Sequence, residues 1–253
     1  MVPVTTDSTP AVIVTGGGTG IGRAIARDHA RDHRVLVVGR TESALAETAG
    51  DHPGIRTLAI DITTPDAAAV VVATALREFG RLDVLVNNAG AATPAPLSAV
   101  DRTTTAEQFA VNLGAPIFLT QAALDALAET RGTVVNISSA GSTGGRAWPG
   151  FSVYGAAKAG VEFLTRTWAA ELAPRGIRVV AVAPGVVESG MGLRMGSTPE
   201  QYAAFLAEVS ATTPVGRVAQ PEEIAWWVRT LTAPEAGFAT GSVFVVDGGM
   251  GLG

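Results

Sequence analysis

The chain has 253 residues, 47% of them hydrophobic and 16% charged, with a formal net charge of −5 and no cysteine. That much apolar content can fill a substantial core, whereas disulfides, thiolate metal sites and a thiol nucleophile are excluded. An acidic chain without a run of consecutive Lys or Arg has no electrostatic footprint for a nucleic acid or an anionic membrane.

The opening MVPVTTDSTP has neither the basic start nor the apolar core of a signal peptide, and residues 1–10 read as a flexible N-terminus. No apolar stretch reads as long enough to cross a bilayer, so a cytoplasmic protein acting on a small molecule is expected, with no nucleic-acid and no membrane partner. Strand-like β-branched runs follow at 12–15, 35–38, 55–60, 84–87, 133–138, 179–182 and 243–246. Ala-rich segments of helical length separate most of them, which predicts right-handed crossovers and a seven-stranded parallel sheet with helices on both faces. No linker or repeat divides the chain, so residues 1–253 read as one doubly wound α/β domain. Gly/Pro-rich stretches at 90–96, 141–150 and 184–199 fall just after strands, where ligands bind in such sheets.

The first strand runs into TGGGTGIG (15–22), and a helix starts near Gly20. Glycine at Gly16, Gly20 and Gly22 lets the backbone turn tightly and approach a phosphate, which the free N–H groups and dipole of the helix favour. The spacing differs from GxGxxG. The second strand ends in Val38-Gly39-Arg40. Gly39 stands where an acid commonly holds the adenosine ribose, and Arg40 offers a guanidinium suited to a 2′-phosphate; the alternative for Arg40 is a surface pair with Glu42. Asp61 follows the third strand, Asn87-Asn88-Ala89-Gly90 the fourth and Ser139 the fifth, with Asn112 in the helix between.

Tyr154 and Lys158 come next, four residues apart and so on one helix face. Lys158 is the only lysine, and every other basic residue is arginine. That usage indicates a role needing a compact ammonium with a tunable pKa. A cation beside Tyr154 is expected to lower the phenol from its usual pKa of about 10, letting it act as acid or base near neutral pH. The histidines His29, His33 and His52 lie away from the strand-end loops. His29 and His33, with Asp28 and Asp32, read as a charged helix end, and no metal site is expected.

In this order the motifs resemble those of the short-chain dehydrogenases/reductases, whose glycine signature is TGxxxGxG. The resemblance covers the whole chain, from the turn at 15–22 through YxxxK and Pro184-Gly185 to PEEIA (221–225) and VDGG (246–249). It implies a Rossmann-like fold, a homotetramer with 238–252 partly at an interface, and a hydride transfer between nicotinamide and a carbonyl or alcohol carbon. By resemblance the catalytic set is Asn112, Ser139, Tyr154 and Lys158: Tyr154 as acid or base, Ser139 on the substrate oxygen, Lys158 also on the nicotinamide ribose, Asn112 positioning a relay water. Cofactor contacts are implied for Gly16, Gly18, Thr19, Gly20, Ile21, Gly22, Arg40, Asp61, Ile62, Asn88, Ala89, Gly90, Tyr154, Lys158, Pro184, Gly185, Val187 and Ser189. Arg40 favours NADP(H), with NAD(H) the alternative.

Two departures stand out. Ser139 lies farther from Tyr154 than the family spacing, with Ser142 as alternate, and Ser189 replaces the usual Thr. Residues 186–214 are expected to form a lid whose Met191, Leu193, Met195, Tyr202, Phe205 and Leu206 give an apolar wall, with Trp148 facing the substrate. Arg146 and Arg194 are in reach of a carboxylate, but neither is dedicated to one, so a neutral, partly hydrophobic ketone or secondary alcohol is expected. The competing class is a non-catalytic dinucleotide sensor or scaffold, which typically loses the Tyr or the Lys.

Overall fold

The computed structural model describes residues 9–143 and 147–252; the expectations for residues 1–8 and Arg146 fall outside them. β1 (Ala11–Thr15), α1 (Gly20–His29), β2 (Arg34–Gly39), α2 (Glu42–Ala49), β3 (Ile55–Ala59), α3 (Ala67–Phe79) and β4 (Val84–Asn87) form the first half. There follow α4 (Arg102–Phe109), α5 (Ala115–Thr130), β5 (Thr133–Ile137), α6 (Ala140–Thr143), α7 (Ser152–Leu172), β6 (Arg178–Pro184), α8 (Met191–Arg194), α9 (Pro199–Thr212), α10 (Pro221–Thr232) and β7 (Val243–Val246). All strands are parallel, in the order β3-β2-β1-β4-β5-β6-β7. The expected sheet is the observed one. β3 and β5 each end one residue early, at Ala59 and Ile137, although the next amides, Ile60 and Ser138, still donate to Gly39 and Val182 at 2.8 Å.

The alternation of side chains along each strand divides the core in two. Ala11, Ile13, Leu36, Val38, Leu85 and Val134 face α3, α5 and α7. Val12, Val14, Val35, Val37, Val86 and Val135 face α1, α2 and α10. Burial on both sides is why these strands read as continuous apolar runs rather than alternating ones. PEEIA opens α10, where Glu223 accepts from the Gln220 amide at 2.8 Å and pairs with Arg217 at 2.7 Å. Phe238, Val245 and Leu252, on the segment expected at a subunit contact, are exposed in the isolated chain.

One expectation needs correction. The continuous helical stretch Arg102–Thr130 is long and apolar enough to span a bilayer by length and composition. Its Ala115, Leu119, Ala123, Ala126 and Leu127 are instead buried against the sheet. A π turn at Ala110–Gly114 interrupts it and carries the fully buried Asn112.

The strand order reverses direction between β1 and β4, and there a crevice opens beyond the strands' carboxyl ends. Its two sides are tied by Thr15. The buried Thr15 hydroxyl accepts from the amides of Asn88 and Ala89, both at 3.0 Å, and donates to the Val86 carbonyl at 3.3 Å. Asn88 returns a hydrogen bond from Nδ2 to the Thr15 carbonyl at 2.8 Å. Thr15→Val keeps the shape but leaves the Ala89 amide without an acceptor and the Asn88 amide with only the Val86 carbonyl at 3.1 Å, and unfolding free energy falls by about 1–3 kcal/mol. Thr15→Ser retains most of it. Urea denaturation of both variants checks this, and a stable Thr15→Val beside a destabilised Thr15→Ser would show that the methyl, not the hydroxyl, carries the joint.

Candidate active site

The glycine turn leaves β1 with Gly16 at φ +64° and enters α1 with Gly20 at φ +48°, both in the left-handed region that side chains disfavour. A Cβ on Gly22 would lie 2.3 Å from the Gly16 carbonyl oxygen, so the turn and helix can meet only without one. Thr19 makes no side-chain cap to α1, and the first turn holds no acidic residue. Its amides therefore remain available to an anion. A groove of about 760 Å³ runs over this turn, lined by Gly16, Gly18, Thr19, Gly39, Arg40, Asp61, Ile62, Ala89 and Gly90. Arg40 is exposed on its wall, and among the described residues it forms no ion pair with Glu42 or any other carboxylate. The Asp61 carboxyl is held below the usual carboxylate range, first by the Thr63 amide and hydroxyl that bond to it, then by the charge of Arg40.

A second cavity of about 530 Å³ adjoins the groove, sharing Gly16, Thr19, Ala89 and Gly90. Ile21, Gly22, Asn88, Ser139, Tyr154, Lys158, Pro184, Gly185, Val187 and Ser189 all line it. Gly185 admits the VDGG turn, since a Cβ there would sit 2.8 Å from the Asp247 Cα. Gly20 lines neither space but abuts Ser189, whose carbonyl oxygen would lie 2.9 Å from its Cβ. Asn112 lies behind the cavity. Its Nδ2 donates to the carbonyls of Ala91 and Gln108 at 2.7 and 2.8 Å, the second satisfying the widened turn. Gly90 packs closely on Asn112 and Lys158, since a Cβ there would meet Oδ1 of the first at 2.9 Å and Nζ of the second at 3.4 Å.

Tyr154 and Lys158 project from the first turns of α7. Lys158 is buried, donates from Nζ to the Ile137 carbonyl at 2.8 Å, and lies 5.8 Å from the centroid of the Tyr154 ring. Burial without a carboxylate partner pushes its ammonium down to about 8. The expected lowering of Tyr154 by Lys158 is not what the structure gives. Tyr154 is half-buried and lines the cavity, and the protein packed around its hydroxyl pushes the phenol up to about 12, opposed by a hydrogen bond with Ser139. Ser139, rather than Ser142, faces Tyr154. Ser142 is held between the Ser139 carbonyl and Glu162 Oε1, at 2.6 Å from each, and Ser138 also donates to Glu162 at 2.6 Å.

That buried glutamate was not anticipated. Its place on the Tyr154 and Lys158 face, one turn further along, was the available signal. Trp148 lines the cavity as expected, packing flat over Gly141, where a Cβ would approach its ring to 2.6 Å, and against Phe151 at 5.5 Å. Met191, Met195, Tyr202 and Phe205 of the segment 186–214 line it too, whereas Leu193 is exposed and Leu206 does not line it.

Because the folded Lys158 value lies near 8 against 10.5 for a free lysine, folding is penalised in full while the buried amine is charged, below pH 8. Between pH 8 and 10.5 the unfolded chain binds more protons, so stability rises with pH. Relative to Lys158→Met, wild-type stability therefore gains about 3 kcal/mol across that window and stays flat below it; Tyr154 is common to both and cancels. Denaturant titrations at several pH values check this, and a difference independent of pH would place the amine in water.

The family model described as enoyl-(acyl carrier protein) reductase matches residues 16–251. A 3-oxoacyl-[acyl-carrier-protein] reductase of Thermotoga maritima is 33% identical over 94% of this chain and 96% of its own length. The enzyme of that name from Vibrio cholerae is 37% identical at the same coverage. The cis-4-hydroxycyclohexanecarboxylate dehydrogenase of Sinomonas cyclohexanicum is 37% identical over 94% of each chain. A short-chain dehydrogenase/reductase of unknown function from Caenorhabditis elegans, crystallised with cofactor, superposes with a TM-score of 0.92 at 33% identity, covering 97% of this chain and 96% of the other. With likeness of this extent in sequence and structure, the protein belongs to the short-chain dehydrogenase/reductase family of oxidoreductases.

Proposed function

We propose that the protein interconverts a neutral, partly apolar ketone and its secondary alcohol with NADP(H). The observation that carries this reading is the convergence of Ser139, Tyr154 and Lys158 in one cavity that continues into the glycine-turn groove. The groove suits a dinucleotide: uncapped amides and close backbone approach for the diphosphate, Asp61 and Ile62 along the adenine side, and an unpaired Arg40 for a 2′-phosphate.

When bound, the nicotinamide supplies the hydride to the carbonyl carbon. Tyr154 gives its phenolic proton to the carbonyl oxygen as negative charge develops there. Burial keeps that phenol protonated at neutral pH, the state reduction requires. Ser139, hydrogen-bonded to Tyr154, holds the same oxygen and disperses its charge. The Lys158 ammonium, near the ring, stabilises the phenolate left behind, and that help fades as pH rises through about 8. In oxidation the phenolate takes the alcohol proton instead. Asn112, beside Lys158 across Gly90, orients the water through which the proton is replaced.

The substrate reading rests on the cavity wall: Ala92, Pro94, Trp148, Phe151, Met191 and Phe205 present apolar surface. Relatives named for a 3-oxoacyl group and for a ring hydroxyl fit a ketone and secondary alcohol pair.

Tyr154→Phe removes the acid and keeps the shape, so kcat falls by about 10²–10⁴-fold while the NADPH dissociation constant stays within about twofold. Absorbance assays on a ketone panel with fluorescence titration of NADPH measure both, and substantial residual turnover would assign the proton to another group. Arg40→Ala weakens NADPH by roughly 10–100-fold and leaves NADH unchanged. Equal wild-type affinities for the two cofactors, or a ratio unmoved by the mutation, would exclude Arg40 from reading the phosphate.

A further inference from the structure

Arg194, the last residue of α8, lines both the groove over Gly16, Gly18 and Thr19 and the cavity that holds Ser139 and Tyr154. Its Nη1 donates to the Ser189 carbonyl oxygen at 3.1 Å. The same oxygen lies 2.9 Å from where a Cβ on Gly20 would stand, so the guanidinium is one hydrogen bond away from the first residue of α1. Among the described residues no carboxylate pairs with it, whereas Arg23, Arg217 and Arg229 are each engaged by an acid. A guanidinium has five N–H donors, and the Ser189 carbonyl takes one.

The turn at 15–22 contains no basic residue. The nearest, Arg23, is directed elsewhere: Nε and Nη2 donate to the Gly18 carbonyl at 3.1 and 2.6 Å, and Nη1 pairs with Glu47. A diphosphate at the α1 N-terminus would thus meet backbone amides and no cation from its own cradle. We propose that Arg194 supplies that cation, reaching from the lid to bind the diphosphate of the dinucleotide. This assignment rests on the dinucleotide reading of the groove. It takes Arg194 away from the other role its position allows, holding a substrate carboxylate.

The test is fluorescence titration of the full chain and of Arg194→Ala, Arg194→Lys and Arg40→Ala with NADPH, NADH and 2′-AMP, which has the 2′-phosphate but no diphosphate. Arg194→Ala weakens NADPH and NADH alike by roughly 10–100-fold and leaves 2′-AMP unchanged. Arg194→Lys recovers part of the loss, because it restores the charge without the planar fork. Arg40→Ala shows the opposite pattern, weakening NADPH and 2′-AMP but not NADH. Unchanged dinucleotide affinity in Arg194→Ala overturns the assignment alone, and a raised KM confined to anionic substrates would then give Arg194 the carboxylate role. A wild type that binds neither dinucleotide overturns the cofactor reading, and this assignment with it.

Discussion

The Thr15 hydroxyl ties the exit of β1 to the exit of β4, and every part of the site is hung from that joint. On one side it sets where Gly16 turns and where α1 begins; on the other it fixes Asn88 to Gly90, the strip against which Asn112 and Lys158 are packed. A doubly wound sheet must open a crevice where its strand order reverses. Here the opening is bridged by one side chain that accepts from two half-buried amides. Neither strand end can move without breaking one of the hydrogen bonds between Thr15 and the Asn88-Ala89 segment.

Electrostatics inside the site work by withholding water more than by pairing charges. Lys158 has a carbonyl and no carboxylate, and Tyr154 has a serine hydroxyl. Burial therefore moves the two groups toward their neutral forms, the phenol upward and the amine downward. The amine is left close enough to neutrality that a small change in surroundings alters its charge, which a surface lysine would not allow. The carboxylate of Glu162 is spent on Ser138 and Ser142, so it anchors the chain around Ser139 instead of pairing with the lysine.

Much of this was legible in the chain itself. Strands buried on both faces announce themselves as Val and Ile runs, and glycines at a strand-to-helix turn are needed for a backbone reason that spacing reveals. Tyr154 and Lys158 stood out because a chain of arginines keeps one lysine. What the sequence hid was anything set by packing between distant segments. The engagement of Ser142 by Glu162, twenty residues further on, is one such contact. The phenol was expected to be lowered and is raised, since spacing along a helix says which side chains are neighbours but not how much water surrounds them.

The singular lysine has a practical side. With Lys158 only 3% exposed and no other lysine in the chain, acylating and reductively alkylating reagents find no side-chain amine on the surface of this protein. Their one side-chain target lies at the base of the cavity. An electrophile carried there by a cavity-shaped scaffold would meet no competing lysine, and occupancy of the cavity by any ligand could be read directly as protection of a single residue from labelling.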